Sequence, residues 1–205
     1  MSHFNTVTRQ NLADSQAHLL SVISSKPFLN NEGLNNEVPF HICPFDPVIT
    51  LEMNQAIKQL RNELATLKIV VLEVNLYDFV IDILKAEGDW EWLLENEHTL
   101  SKAELKEELQ GILDTENVLV PKIAQKMAET NFDVMFISSV GEVFPYIRSH
   151  NILNNLQRVA KAQPTLIFFP GRYQHSLTGG ASLKLFDKLT DDKYYRAFNI
   201  LDRAN

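Results

Sequence analysis

The chain has 205 residues, 45% of them hydrophobic, a formal net charge of −7 and a sequence pI near 5.4. That length and composition suit one globular domain with a real core, and the acidic balance argues against broad backbone-driven nucleic-acid binding, so direct DNA contact is not expected. A single cysteine, Cys43, excludes an internal disulfide and fits a reducing compartment; with no membrane-length apolar run and no signal-peptide pattern, the expectation is a cytoplasmic protein off the membrane.

In chain order, Leu12, Leu19, Leu20 and Ile23 share one apolar face of a first helix, which Ser24-Ser25-Lys26-Pro27 should stop. The Asn- and Gly-rich stretch from Asn30 to Asn36 reads as a loop. Residues 38–42 read as a short strand near a sheet edge, because Pro39 cannot donate to a ladder, with Pro44 and Pro47 preventing regular structure beyond it. Met53, Ile57, Leu60, Leu64 and Leu67 recur at spacings of three and four, which predicts an amphipathic helix over 48–67. The β-branched run from Ile69 to Val74 predicts a buried strand. A further helix follows, with Asp78 as its expected N-cap.

Residues 88–116 are acidic and helical in pattern, with Trp90 and Trp92 near the start and Ser101-Lys102-Ala103-Glu104 matching a capping box; about 88–128 is expected to be a helical insertion within a single α/β domain spanning 1–205. Residues 134–137 predict a second buried strand. Pro145 is placed in the first turn of the next helix, and Ser138 and Ser139 are read as capping it. A last core strand begins at Leu166 and should break at Pro170-Gly171. Alternation of strands with helices implies a mostly parallel sheet covered by helices on both faces.

Catalytic motifs are missing from this frame. G-x-x-x-x-G-K-[ST] and G-x-G-x-x-G do not occur, and Gly179-Gly180 with Lys184 has the wrong spacing for a phosphate loop. The six histidines and one cysteine show no metal-ligand spacing, so no metal or other cofactor is expected. Ser138 or Ser139, His150 and Asp78 could meet at the carboxyl edge of a parallel sheet, but no nucleophile elbow is present. His41 and Cys43 would share a strand face, where a buried structural thiol is the commoner role.

The more informative set is Arg148, Arg172, Tyr173, Asp191, Asp192, Tyr194, Tyr195 and Arg196. Arg148 and Arg172 each follow a buried strand and could lie on one edge. Arg with Tyr is the composition of protein-interface hot spots, and also of phosphate and base-stacking sites. A purely structural reading pairs Arg172 with Asp191 or Asp192 as a clasp.

Several blocks together resemble the BrxB family: Asn36-Glu37-Val38-Pro39-Phe40, Asn75-Leu76-Tyr77-Asp78, Gly141 through Arg148-Ser149-His150 to Leu156, Phe169-Pro170-Gly171-Arg172-Tyr173, and Leu183 to Phe186 with Asp191 to Phe198. The resemblance covers nearly the whole chain, and its most specific part is the C-terminal block. It departs in a longer loop from Gln174 to Ala181 and in Lys193, where Asn is expected. The resemblance implies a sheet like that of P-loop ATPases without Walker motifs. It also implies a non-enzymatic accessory component of bacteriophage-exclusion (BREX) defence, a system that methylates host DNA and blocks phage DNA replication. Implied partners are a PglZ-type protein, a BrxC-type ATPase and a PglX-type methyltransferase. Arg148, Arg172, Tyr173, Tyr194, Tyr195 and Arg196 are the candidate partner-binding residues. A degenerate nucleotide-binding module or a DNA-contacting subunit of the same complex is the alternative.

Overall fold

In the computed structural model, residues 5–32, 39–176, 180–191 and 197–203 are described. Five strands form a parallel sheet: β1 (Phe40–Phe45), β2 (Val71–Asn75), β3 (Val134–Ser138), β4 (Thr165–Ser176) and β7 (Phe198–Asn199). Their order is β2-β3-β4-β1-β7. Strands β5 (Gly180–Leu185) and β6 (Leu189–Asp191) extend this sheet as an antiparallel hairpin paired to β4. The fold is therefore α/β with a mostly parallel sheet.

Period-two alternation divides the strands between two cores. Phe40, Ile42, Leu72, Val74, Met135, Ile137, Ile167 and Phe169 face one side. There they meet α4 (Leu76–Glu87), α7 (Val120–Glu129) and α8 (Ser149–Val159) through Val80, Leu84, Ile123, Ile152 and Leu156. Cys43, Phe45, Val134, Phe136, Leu166 and Phe168 face the other side, covered by α1 (Leu12–Ile23) and α3 (Thr50–Thr66). Both faces are buried, which is why the strands read as continuous apolar runs.

Several expectations are corrected. Strand β1 is central: it pairs with β4 along its whole length and with β7 at His41 and Ile42. Pro44 sits inside it. The Pro44 carbonyl accepts from the Val7 N–H at 2.8 Å, so the side lacking an N–H is the side on which β7 has already ended. Strand β4 does not break at Pro170-Gly171 but changes partner there, from β1 on one side to β5 beyond. A Cβ on Gly171, at φ +147°, would lie 2.1 Å from the Lys184 carbonyl oxygen, so only glycine fits the handover. Helix α8 begins at Ser149 with Arg148 as N-cap, which leaves Pro145 in the preceding turn and Ser138 and Ser139 at the strand end.

Other elements follow the pattern with local adjustments. Ser24-Ser25 ends α1, but Ser25 then caps a short helix, α2 (Lys26–Leu29), in whose first turn Pro27 is tolerated. Leu67 lies past the C-terminus of α3 and is exposed. Asn75, not Asp78, caps α4, accepting from the N–H groups of Tyr77 and Asp78. The acidic stretch forms α5 (Asp89–Asn96) and α6 (Lys102–Ile112), and Ser101 with Glu104 makes the capping box. Among the described residues no helix is long and apolar enough to cross a membrane.

Candidate functional site at the carboxyl edge

The connection from β1 runs through α3 to the far edge strand β2, whereas β4 leads on to β7 on the opposite side of β1. Adjacent strands whose connections diverge leave a crevice at their carboxyl ends, the usual ligand position in open α/β sheets. A cleft of about 220 Å³ lies there. Phe45 from β1, Thr50, Asn54 and Ile57 from α3, Phe168 and Pro170 from β4, the turn 139–142 after β3, and Phe186 line it.

The walls are held by backbone that most residues avoid. Ser139 has φ 58°, and Phe186 and Asp187, at the tip of the β5–β6 hairpin, have φ 53° and 57°. Two consecutive left-handed residues closed by Lys188 N–H donating to the Leu185 carbonyl at 3.0 Å make a tight hairpin turn that normally carries Asn and Gly. Each such residue costs about 1–2 kcal/mol unless its side chain compensates. The Phe186 ring does so by pressing on Gly141, where an added Cβ would lie 2.8 Å from it, and by meeting Phe144 edge-on at 6.2 Å.

Electrostatically the cleft is one-sided. Its lining includes one charged residue, Glu142, and no lysine or arginine. Half-burial, then Tyr77 and Glu142 nearby, push the Tyr146 hydroxyl above its ordinary pKa.

The residues anticipated from sequence divide as follows. Arg172 is exposed, its Nε 3.2 Å from Asp187 Oδ1. Tyr173 is buried instead of presented, and its hydroxyl donates to the Ala197 carbonyl at 2.5 Å, tying β4 to the segment that enters β7. Arg148 is exposed at the start of α8. Neither Arg148 nor Arg172 lines the cleft. Tyr194, Tyr195, Arg196 and Asp192 lie outside the described residues. Ser139 lines the cleft, His150 is buried on the first turn of α8, and Asp78 lines a separate polar hollow of about 250 Å³ beside β2. In that hollow Arg61 bridges Glu73, and Lys126 stands 5.5 Å over the Phe79 ring. Among the described residues no group of three or more His, Cys, Asp or Glu is placed to hold a metal ion.

His41 and Cys43 are both fully buried. Burial pushes the Cys43 thiol well up, away from the reactive thiolate. His41 lies between the rings of Phe28 and Phe198 at 4.8 and 5.9 Å, and neither ring nitrogen has a hydrogen-bond partner among the described residues. Burial first, then the Arg203 charge, lower its pKa to about 3.

Thr50, Asn54, Gly141, Glu142 and Phe186 were missed as site residues by sequence reasoning. Gly141, isolated just after a buried strand, was the one available signal.

Residues 72–200 match the family model described as "BREX protein BrxB". A protein of Bacillus cereus (strain H3081.97) named "BREX protein BrxB" is 32% identical over 90% of this chain and 95% of its own length. One of Escherichia coli O9:H4 (strain HS) with the same name is 28% identical over 90% of this chain and 89% of its own. No solved structure matches.

Proposed function

The chain belongs to the BrxB family of BREX, or bacteriophage-exclusion, proteins, and we propose that it serves this defence system as an accessory subunit that binds partner proteins and carries out no reaction of its own. The observation that carries the reading is the chemistry of the carboxyl-edge crevice. A phosphate-handling site places backbone amides and a cation where β1 runs into its helix. Here Asp46-Pro47-Val48-Ile49 makes that connection, without glycine or lysine, and the lining charge is a carboxylate. The order β2-β3-β4-β1-β7 supports a P-loop-like sheet from which the nucleotide machinery is missing.

The partner assigned by this reading is a PglZ-type protein, with a BrxC-type ATPase and a PglX-type methyltransferase joined through the same assembly. Exposed Arg172 and Arg148 at the carboxyl edge are contact residues on this reading, together with Tyr194, Tyr195 and Arg196; buried Tyr173 supports the surface from beneath. Co-purification with the PglZ-type protein of the same system at micromolar concentration tests it. A stable complex is expected; absence of association, with both proteins folded, overturns it. Calorimetric titration with ATP and GTP is expected to show no binding heat.

A further inference from the structure

We propose that the carboxyl-edge cleft receives one large apolar side chain of the partner protein, with a basic residue of that partner set against Glu142. This rests on the reading of the chain as a partner-binding subunit and names the surface it uses.

Size decides first between a small molecule and a protein side chain. Pockets for small ligands usually enclose about 300–1,000 Å³ and bury most of the ligand. At about 220 Å³ this cleft is below that range, and it suits a single aromatic or long aliphatic side chain. The walls supply what such an anchor needs: the side chains of Phe45, Ile57, Val140, Phe168, Pro170 and Phe186. Hot-spot residues are buried in apolar pockets of this kind near the centre of an interface.

The surface beside the cleft points the same way. Val48 and Leu51 are 75% and 77% exposed, and they bracket the wall residue Thr50 in sequence. Two large apolar side chains left in water on the segment that carries the wall residue Thr50 offer further contact area. Strain adds an independent observation. Ser139, Phe186 and Asp187 hold left-handed backbone at this cleft, and such strain concentrates at binding and switching sites because the surroundings must over-determine it.

Charge complementarity selects the partner. Glu142 is exposed, enters no ion pair among the described residues and has no cation beside it in the lining. A phosphate or an acidic peptide would face that carboxylate directly, whereas a lysine or arginine next to the apolar anchor would pair with it. Like-charge juxtaposition at an interface costs affinity and matched charge gains specificity.

The test uses the full chain and two variants. Asn54→Trp, at an exposed wall position, fills the cleft mouth; Glu142→Lys reverses the charge. Lys102→Glu, on α6, is the control. Melting temperatures of all three are expected to match the wild type. Affinity for the PglZ-type protein should fall at least tenfold in the first two, about 1.4 kcal/mol or more, and stay unchanged in the control. Separately, the capped dipeptide amide Phe-Arg at millimolar concentration should shift the NMR resonances of Val48, Leu51 and Gly141 in the wild type, more than capped Phe-Glu does, and not in Asn54→Trp. Undiminished partner affinity in Asn54→Trp overturns the proposal even when the dipeptide binds. A small molecule retained in the cleft under native mass spectrometry overturns it in favour of a ligand site. Should the wild type fail to bind the PglZ-type protein at all, the accessory-subunit reading falls, and the dipeptide then decides for the cleft alone: the stated shifts support it, and their absence overturns it.

Discussion

His41 makes acid a specific threat to this fold. Its ring is fully buried between Phe28 and Phe198, its nitrogens have no partner among the described residues, and its pKa falls from 6.5 to about 3. The folded state therefore refuses a proton that the unfolded chain accepts at about pH 6.5. With the unfolded state binding more protons, stability rises with pH. The contribution is fully present above pH 6.5 and is withdrawn as the pH falls towards 3, at about 1.4 kcal/mol per pH unit. By about pH 5, before most carboxylates titrate, roughly 2 kcal/mol is gone; the full window is worth about 5 kcal/mol, against a typical total of about 5–15 kcal/mol. Urea unfolding between neutral pH and about pH 4.5 measures it, in the wild type and in His41→Leu, which keeps an apolar side chain without the titrating ring. The wild-type free energy should fall more steeply than the variant's, the two curves diverging by about 2 kcal/mol at pH 5. Parallel curves would refute the argument, because they would mean that His41 is protonated in the folded state or reaches solvent.

Three further outcomes follow from single positions. Gly171→Ala should cost more than about 3 kcal/mol in urea unfolding and expose the hairpin to proteolysis, since its Cβ would meet the Lys184 carbonyl at 2.1 Å; a loss within about 0.5 kcal/mol would show that β4 hands over to β5 differently. Asn75→Ala should cost about 1 kcal/mol by removing the α4 cap, and Asn75→Asp much less; equal losses in the two would assign the effect to the polar hollow beside β2, which Asn75 also lines, instead of the cap. Cys43 should resist a thiol reagent at mildly alkaline pH until the protein is unfolded by urea, because burial raises its pKa and hides its sulfur; rapid labelling of the native protein would contradict the packing of β1.

Legibility in the sequence tracked how local each cause was. Helix α3 was readable because Met53, Ile57, Leu60 and Leu64 repeat along one face, and that face is the buried one. Strands β2, β3 and β4 were readable as apolar runs because both sheet faces are covered. The capping box at Ser101 and Glu104 is a four-residue event and was found. Strand β1 was misplaced because a proline forbids a ladder bond on one side only, and that the side Pro44 faces is the one where β7 has ended depends on residues 7 and 198–199, far away in sequence. The break expected at Pro170-Gly171 became a change of partner for the same reason: Gly171 answers to Lys184, not to its neighbours. The cap of α4 went to Asn75 over Asp78 because the strand runs into the helix without a loop. Apart from isolated Gly141, the cleft was not legible. Its walls come from β1, α3, the turn after β3, β4 and a hairpin tip, and Phe186 in a left-handed turn is a residue that local turn chemistry argues against.

The late arrival of β7 has a consequence for biosynthesis. Strand β1 is made early, yet among the described residues one of its two flanks pairs only with Phe198 and Asn199, with Val7 covering the far end through Phe45. On the ribosome, and in any fragment that stops before residue 198, the central strand of the sheet is temporarily an outer one. Its backbone amides on that side, and the His41 ring that Phe198 otherwise packs against, are then open to a neighbouring chain. Prematurely terminated chains should therefore aggregate or recruit chaperones, where the finished chain closes the strand on itself.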